Sequence, residues 1–143
     1  MCNLPDSMNE VLLNSFHDWV IEDFKLDGNL SLILEVENEK EQKFQATLNF
    51  FEISNLTLTF WDGTETSFTD LEKYRLEFVD RWFQKASLEN NYCNLTFIGS
   101  NEHSEATGAE IDFDFNRFET FLNDSEFNDI KDVAEFKQLN GLT

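Results

Sequence analysis

The chain has 143 residues, with 29 acidic against 10 basic side chains and a formal net charge of −19. That length suits one domain with a hydrophobic core of its own. The excess of carboxylates disfavours binding to nucleic acid or to an anionic membrane. It favours either a basic partner or simply high solubility. Sixteen phenylalanines supply apolar bulk without a polar group, so most of them are expected in the core.

The cysteine content and the N-terminus predict a cytoplasmic protein. Cys2 and Cys93 are the two cysteines, and we interpret both as free thiols, which fits a reducing compartment. The first residues carry no cationic segment followed by an apolar run, and no apolar stretch approaches the ~20 residues of a membrane span. We therefore expect neither a signal peptide nor a membrane partner.

The N-terminal part of the chain predicts a hairpin after a loosely ordered start. Residues 1–15 are mostly polar and are expected to be loosely ordered. From Phe16 onward, two extended runs flank Asp27-Gly28-Asn29, whose glycine and asparagine tolerate positive φ, so a tight turn is predicted there. The charged segment Asn38–Lys43 is expected to form a second hairpin loop or an exposed rim.

The stretch Leu30–Trp61 alternates apolar and polar residues three times, which is typical of half-buried antiparallel strands. The alternation slips by one residue near Phe50 and Phe51, as a bulge or a corner requires. The residues predicted to point into the core are Leu30, Leu32, Leu34, Val36, Phe44, Ala46, Leu48, Phe50, Leu56, Leu58 and Phe60.

The second half of the chain predicts two helices and two more strands. Thr69–Ala86 carries apolar residues at three- and four-residue spacing behind a capping-box sequence, which predicts a long amphipathic helix. Tyr92–Ile98 and Glu110–Phe115 read as strands, and Ser125–Leu139 as a weaker helix. The fold predicted for residues 1–143 is therefore a single α+β domain. A mainly antiparallel sheet of five to seven strands would have the long helix packed on one face.

No motif in the sequence indicates catalysis, a cofactor or a metal site. The five glycines lie at apparent turns, so a phosphate-binding loop is absent. His17 and His103 belong to no nucleophile or metal pattern, and we expect His17 to make local hydrogen bonds. Asp112 to Asn116 begins like a calcium loop, but Arg117 occupies the position that requires glycine. We therefore predict no enzyme activity, no catalytic residues, no cofactor and no metal.

Two rows of carboxylates are the strongest candidates for function. Alternate residues of a strand lie ~6.8 Å apart on one face, so each row forms a ladder of negative charge. One interpretation is the solvent-exposed face of a two-layer domain, and the other is a surface for a partner rich in lysine and arginine. The residues predicted to bind the partner are Glu110, Asp112 and Asp114 in one row and Glu35, Glu37 and Glu39 in the other.

Residues 15–61 carry a family resemblance. Ser15-Phe16-His17-Asp18, followed by an extended run, a tight turn, LSLILEVE and then FQATLNFFEISNLTLTF, resembles the bacterial immunity protein 50 family. The resemblance implies a protein that neutralises a toxin secreted by neighbouring bacteria by binding it directly. It supplies no catalytic residues.

Charge and resemblance together predict an acidic cytoplasmic protein inhibitor, an immunity protein that occludes a cognate bacterial toxin. Residues 101–143 hold 11 acidic and 3 basic side chains, which makes the Glu110–Asp114 strand the preferred contact region. The alternative is a mimic of nucleic acid that inhibits a DNA- or RNA-binding defence or restriction protein.

Overall fold

The computed structural model describes residues 6–61, 65–67, 79–99, 107–123, 125–127 and 130–142. Within these residues, ten strands form one antiparallel sheet, accompanied by two helices. The helices are α1 (Asp6–Asn14) and α2 (Ile130–Leu139). The strands are β1 (Val20–Leu26), β2 (Leu30–Glu37), β3 (Lys43–Phe51), β4 (Ser54–Phe60), β5 (Glu65–Ser67), β6 (Trp82–Glu89), β7 (Tyr92–Ile98), β8 (Gly108–Asp114), β9 (Arg117–Leu122) and β10 (Ser125–Phe127).

The sheet folds over itself into two layers. Its strand order is β10-β9-β3-β2-β1-β6-β7-β8-β4-β5. Phe50 on β3 meets Phe113 on β8 edge to face, with ring centroids 4.9 Å apart, although four strands separate β3 from β8 in the sheet. The half that contains β3 therefore lies against the half that contains β8, and the two inner faces bury each other.

The interior is built from the alternating residues that the sequence predicted. Leu32, Leu48 and Leu58 are fully buried. Phe50 also contacts the rings of Phe115 and Phe118, so an aromatic cluster fills the space between the layers. The antiparallel sheet and its core-facing residues are thus confirmed.

Two short corners carry the chain from one layer to the other. β3 and β4 are consecutive but do not pair, because two residues after Phe51 lead the chain across to β4. Likewise, β8 and β9 are consecutive but do not pair, because Phe115 and Asn116 lead the chain across to β9. The Asn116 amide donates a hydrogen bond to the Phe51 carbonyl at 2.9 Å, which connects the two corners. The predicted slip near Phe50 and Phe51 is this corner.

The two layers are joined along a short seam between β1 and β6. Only Val20 and Trp82 pair in register there. Four backbone hydrogen bonds of 2.8 Å hold the seam. The Asp18 amide donates to the Phe83 carbonyl, and the Phe83 amide donates to the Trp19 carbonyl. The Ile21 amide donates to the Arg81 carbonyl, and the Asp80 amide donates to the Ile21 carbonyl. Beyond this point β1 and β6 diverge.

Helix α1 covers the edge of β6 that β1 leaves unpaired. The Asn14 side chain accepts a hydrogen bond from the Ala86 amide at 2.8 Å and donates one to the Ala86 carbonyl at 2.9 Å, as a neighbouring strand would. The Glu10 carboxylate accepts another from the Leu88 amide at 3.1 Å. Leu12 and Leu13 are buried, so α1 closes this end of the core.

Helix α2 packs beside α1 and the end of β3. Phe136 meets Phe44 edge to face at 5.3 Å, and Val133 is buried. Lys137 donates a hydrogen bond to the Ser15 carbonyl just after α1, and burial lowers the pKa of this lysine. The helix closes at Asn140 and Gly141, as predicted, with Gly141 at a φ of 71°.

The predicted long helix at Thr69–Ala86 is wrong where the structure describes that segment. Trp82–Ala86 belongs to β6, and residues 69–78 lie outside the described residues. The pairing register of β6 shifts between Phe83 and Lys85, so an extra residue is inserted there. Because of this bulge, Phe83 and Ala86 both point into the core although they are three residues apart. The same spacing is typical of a helix. The predicted α+β fold, with five to seven strands and a long helix on one face, is therefore wrong. Ten strands form the sheet among the described residues, and one half of the sheet covers the other.

Two smaller expectations also need correction. Residues 6–14 are helical with buried leucines, so the start of the chain is more ordered than predicted. Ser125–Phe127 is a short strand on β9, and the C-terminal helix therefore begins at Ile130. None of the helices among the described residues is long and apolar enough to cross a membrane.

We predict that Asn14→Ala lowers the free energy of unfolding by about 2 kcal/mol, because the amide and carbonyl of buried Ala86 both lose their partner. Chemical denaturation measures the change. The control is Asn116→Ala, which removes an exposed bond to Glu52 and should cost less than about 0.5 kcal/mol. Equal losses in the two variants would contradict the role given to α1.

Candidate functional site

A cleft of about 690 Å³ opens at the seam between the two layers. It is formed where β1, β2 and β6 meet the residues that precede β1 and β6. Half of its lining residues carry carboxylates, and most of the others are apolar. The lining residues are Asp18, Val20, Ile21, Glu22, Glu35, Val36, Glu37, Lys43, Asp80 and Trp82.

The backbone of the seam places the acidic groups at the rim. Asp18 and Asp80 lie just before the seam strands, with φ values of 70° and 73°. Aspartate tolerates this left-handed conformation better than most residues, and each bend coincides with a backbone hydrogen bond across the seam. The two halves of the sheet thus each contribute one aspartate to the same cleft.

Trp82 forms the aromatic wall of the cleft. Its neighbour Phe83 points into the core, so Trp82 points outward, and it pairs directly with Val20. The side chain of Trp82 is 51% exposed, whereas Trp19 is only 3% exposed in the core. An accessible indole beside several carboxylates is a suitable surface for an organic cation.

Glu22 and Glu35 form a carboxyl pair within the cleft. The register of β1 shifts between Ile21 and Asp23, so Glu22 is the extra residue of a bulge and projects toward Glu35 on β2. A hydrogen bond to the Glu35 carboxylate raises the pKa of Glu22, and burial and the negative charge of Glu35 raise it further. The same hydrogen bond lowers the pKa of Glu35. One proton shared between two carboxyls accounts for both directions.

Neighbouring side chains from β3 complete the surroundings of this pair. The Gln45 amide donates to Glu22 at 3.3 Å, and the Lys43 ammonium lies 3.7 Å from Glu35. Lys43 is the basic member of the lining, against five acidic residues. The cleft therefore retains a surplus of negative charge.

The structure divides the predicted partner-binding residues among three places. Glu35 and Glu37 line the cleft, while Glu39 lies exposed in the loop between β2 and β3. Glu110, Asp112 and Asp114 alternate along the outer face of β8. Because β8 and β3 press their inner faces together, the outer faces of their layers point in opposite directions. The two rows therefore do not form one surface.

The β8 row is largely occupied by donors from its own sheet. Asp112 accepts hydrogen bonds from the Tyr92 hydroxyl and from the Asn94 amide, the latter at 2.6 Å. Asp114 accepts one from Asn55 at 2.8 Å. The bond to Asp112 raises the pKa of Tyr92 to about 12. These carboxylates already have hydrogen-bond partners within the sheet, which weakens their case as a contact surface.

Sequence reasoning missed Asp18, Glu22, Asp80 and Trp82 as site residues. Glu22 escaped because the bulge in β1 places it, and a bulge has no reliable signature in a single sequence. Trp82 lies in the Thr69–Ala86 segment, whose spacing predicted a helix. The two bulges leave a pair of buried residues three apart in each strand, Ile21 with Phe24 and Phe83 with Ala86, and this spacing fits a helical turn equally well.

His17 lies beside Asp18, one of the residues that line the cleft. His17 Nδ1 lies 3.1 Å from the Asp18 carboxylate, a local contact of the kind expected. Among the residues that the structure describes, no three His, Cys, Asp or Glu side chains are grouped so that they could hold a metal ion.

No family model matches the chain, and neither a curated protein nor a solved structure does so.

We predict that Glu22→Gln gains stability over the parent as the pH rises. Because the pKa of Glu22 is raised in the folded protein, Glu22 contributes to the free energy of unfolding at low pH. This contribution is lost as the pH rises through the raised pKa, because two negative charges then face each other. Glutamine keeps a neutral donor to Glu35. Because the site is exposed to solvent, the gain at pH 7 should be only about 0.5 kcal/mol.

Thermal or chemical denaturation between pH 4 and pH 8 measures this difference. Glu39→Gln is the matched control, since it removes the same charge from an exposed loop. A pH dependence that is the same in both variants would mean that Glu22 and Glu35 do not share a proton.

Proposed function

We propose that the protein is a cytoplasmic inhibitor that binds a basic protein partner, and that the partner is a bacterial toxin for which it acts as the immunity protein. The observation that carries the proposal is the cleft at the seam, where five carboxylates and an exposed indole surround an open volume of about 690 Å³. The net charge of −19 and the resemblance of residues 15–61 to the immunity protein 50 family support the same reading.

Charge and shape contribute to different steps of the proposed inhibition. The overall negative field attracts a basic surface over a distance of several ångströms and speeds association. Trp82 and Val20, which pair across the seam, then provide the desolvated contact that slows dissociation. An inhibitor built in this way occludes the partner's active surface sterically and performs no chemistry itself.

The second candidate function is mimicry of nucleic acid. It is favoured by the regular β8 row of Glu110, Asp112 and Asp114, which lies outside the cleft and so offers a second negative face. A mimic is expected to bind several unrelated DNA- or RNA-binding proteins, whereas an immunity protein binds one toxin tightly. Binding to a panel of such proteins distinguishes the two.

We predict that the triple variant Asp18→Asn, Glu35→Gln and Glu37→Gln slows association with the partner by about tenfold at low salt, because it removes three charges from the cleft. The partner to be tested is the toxin-like C-terminal domain of a secreted protein encoded directly upstream in the same genome. Stopped-flow association at two salt concentrations measures the rate, and protection of cells that co-express the domain measures inhibition.

The matched control changes Glu110→Gln, Asp112→Asn and Asp114→Asn, which removes the same number of charges from β8 while keeping hydrogen-bond acceptors there. It should affect association less than the cleft variant does. If the β8 variant has the larger effect, the contact surface is β8 and not the cleft. If no such upstream protein exists and the chain binds many nucleic-acid-binding proteins, mimicry replaces the immunity function.

A further inference from the structure

The cleft combines three features that favour one kind of cation. It has an aromatic wall, Trp82, which is 51% exposed. It has a pair of adjacent carboxyls, Glu22 and Glu35, on the neighbouring strands β1 and β2. It also has an apolar side chain, Val20, which pairs directly with both Trp82 and Glu35. A ligand that satisfies all three must be positively charged, flat enough to stack and equipped with several donors.

A guanidinium group meets these requirements better than an ammonium group. It is planar, stacks on indole rings, and presents donors in a fork that matches carboxylates. It is also less strongly hydrated than an ammonium, so it loses less on leaving water for a partly apolar cleft. Its three-carbon stem can lie along Val20.

We propose that the cleft binds an arginine side chain of the basic partner, with the guanidinium stacked on Trp82 and hydrogen-bonded to the carboxyls of Glu22 and Glu35. The inference rests on the proposed function for the identity of the partner, but the recognition of arginine can be tested without that partner. The seam gives the cleft its geometry, since Trp82 and Val20 face each other across it.

Lys43 occupies part of the position that the arginine takes. Its ammonium lies 3.7 Å from Glu35, and 66% of its side chain is exposed, so it is weakly held and can move aside. An arriving arginine therefore displaces Lys43 from Glu35. Removal of this lysine by Lys43→Gln should strengthen arginine binding, a gain that a purely structural role of Lys43 would not produce.

Arginine binding should also release a proton. Glu22 faces Glu35 from β2 and Lys43 and Gln45 from β3. The same cleft is lined by Asp18 just before β1, by Glu37 on β2 and, across the seam, by Asp80. When Glu22 is protonated, the pair carries one negative charge, and the guanidinium competes with that proton. The affinity for the arginine peptide should therefore increase as the pH rises through the raised pKa of Glu22.

The test is a nuclear magnetic resonance titration of the full chain with the capped tripeptide acetyl-Gly-Arg-Gly-amide. The same peptide with lysine, and with uncharged citrulline, provides the comparison. We expect the indole N–H signal of Trp82 to shift, the arginine peptide to bind about fivefold more tightly than the lysine peptide, and the citrulline peptide not to bind.

Variants locate the site. Trp82→Ala should abolish the preference for arginine, and Lys43→Gln should strengthen binding about twofold to threefold. Trp61→Ala is the matched control, because Trp61 is 50% exposed but does not line the cleft, and it should change nothing. Glu22→Gln provides a second variant with an intact aromatic wall, and it should remove the pH dependence of binding.

Three results would overturn the proposal. The first is that the arginine and lysine peptides bind equally tightly. The second is that millimolar Ca²⁺ displaces the arginine peptide at unchanged ionic strength. The third is that the signals of the Asn94 and Asn55 amides beside β8 shift as much as the Trp82 signal does. Each would mean that cations only gather around an acidic protein.

The outcome is separable from that of the proposed function. If the arginine peptide binds in the cleft but Trp82→Ala leaves protection against the toxin domain intact, the cleft recognises arginine and the proposed partner surface is wrong. If the triple cleft variant abolishes protection while the arginine and lysine peptides bind equally, the inhibitor function stands and the arginine inference falls.

Discussion

The seam between β1 and β6 is the constraint on which the rest of the structure depends. A ten-stranded sheet with one buried face needs a cover, and here the sheet supplies its own by folding at a junction held by four backbone hydrogen bonds. Because the two strands diverge immediately, an edge of β6 is left open, and Asn14 of α1 fills it with side-chain hydrogen bonds. The same divergence opens the cleft on the outer side. The fold of the sheet at the seam therefore both closes the core and forms the candidate site.

Much of the sheet could be predicted from the sequence, because alternation and turn residues are local signals. Gly28 adopts a φ of 92° in the hairpin that Asp27-Gly28-Asn29 predicted, and Tyr92–Ile98 is a strand with the predicted bounds. The long helix failed for a specific reason. A bulge in β6 gives Phe83 and Ala86 a spacing of three, which a sequence cannot distinguish from a helical turn. The folding of the sheet onto itself, which replaced the helix as cover, depends on contacts such as Phe50 with Phe113 that are distant in sequence.

The candidate site was only half predictable. Glu35 and Glu37 follow from alternation, and the structure places both in the cleft. Glu22 and Trp82 depend on the seam and the bulge in β1, which arise from pairing between distant strands. The β8 row was predicted correctly as a row, yet hydrogen bonds from Tyr92, Asn94 and Asn55 satisfy it within the sheet. Acidic residues in a sequence thus show how much negative charge is present, but the neighbouring strands decide which carboxylates remain available to a partner.

The most direct test of this account is a site-resolved carbon-13 titration of the Glu22 and Glu35 carboxyls, with and without the arginine peptide. The account predicts that Glu22 titrates above the ordinary range of glutamate and Glu35 below it, and that the peptide lowers the pKa of Glu22 by displacing the shared proton. Two carboxyls that both titrate in the ordinary range, whether or not the peptide is present, would contradict it.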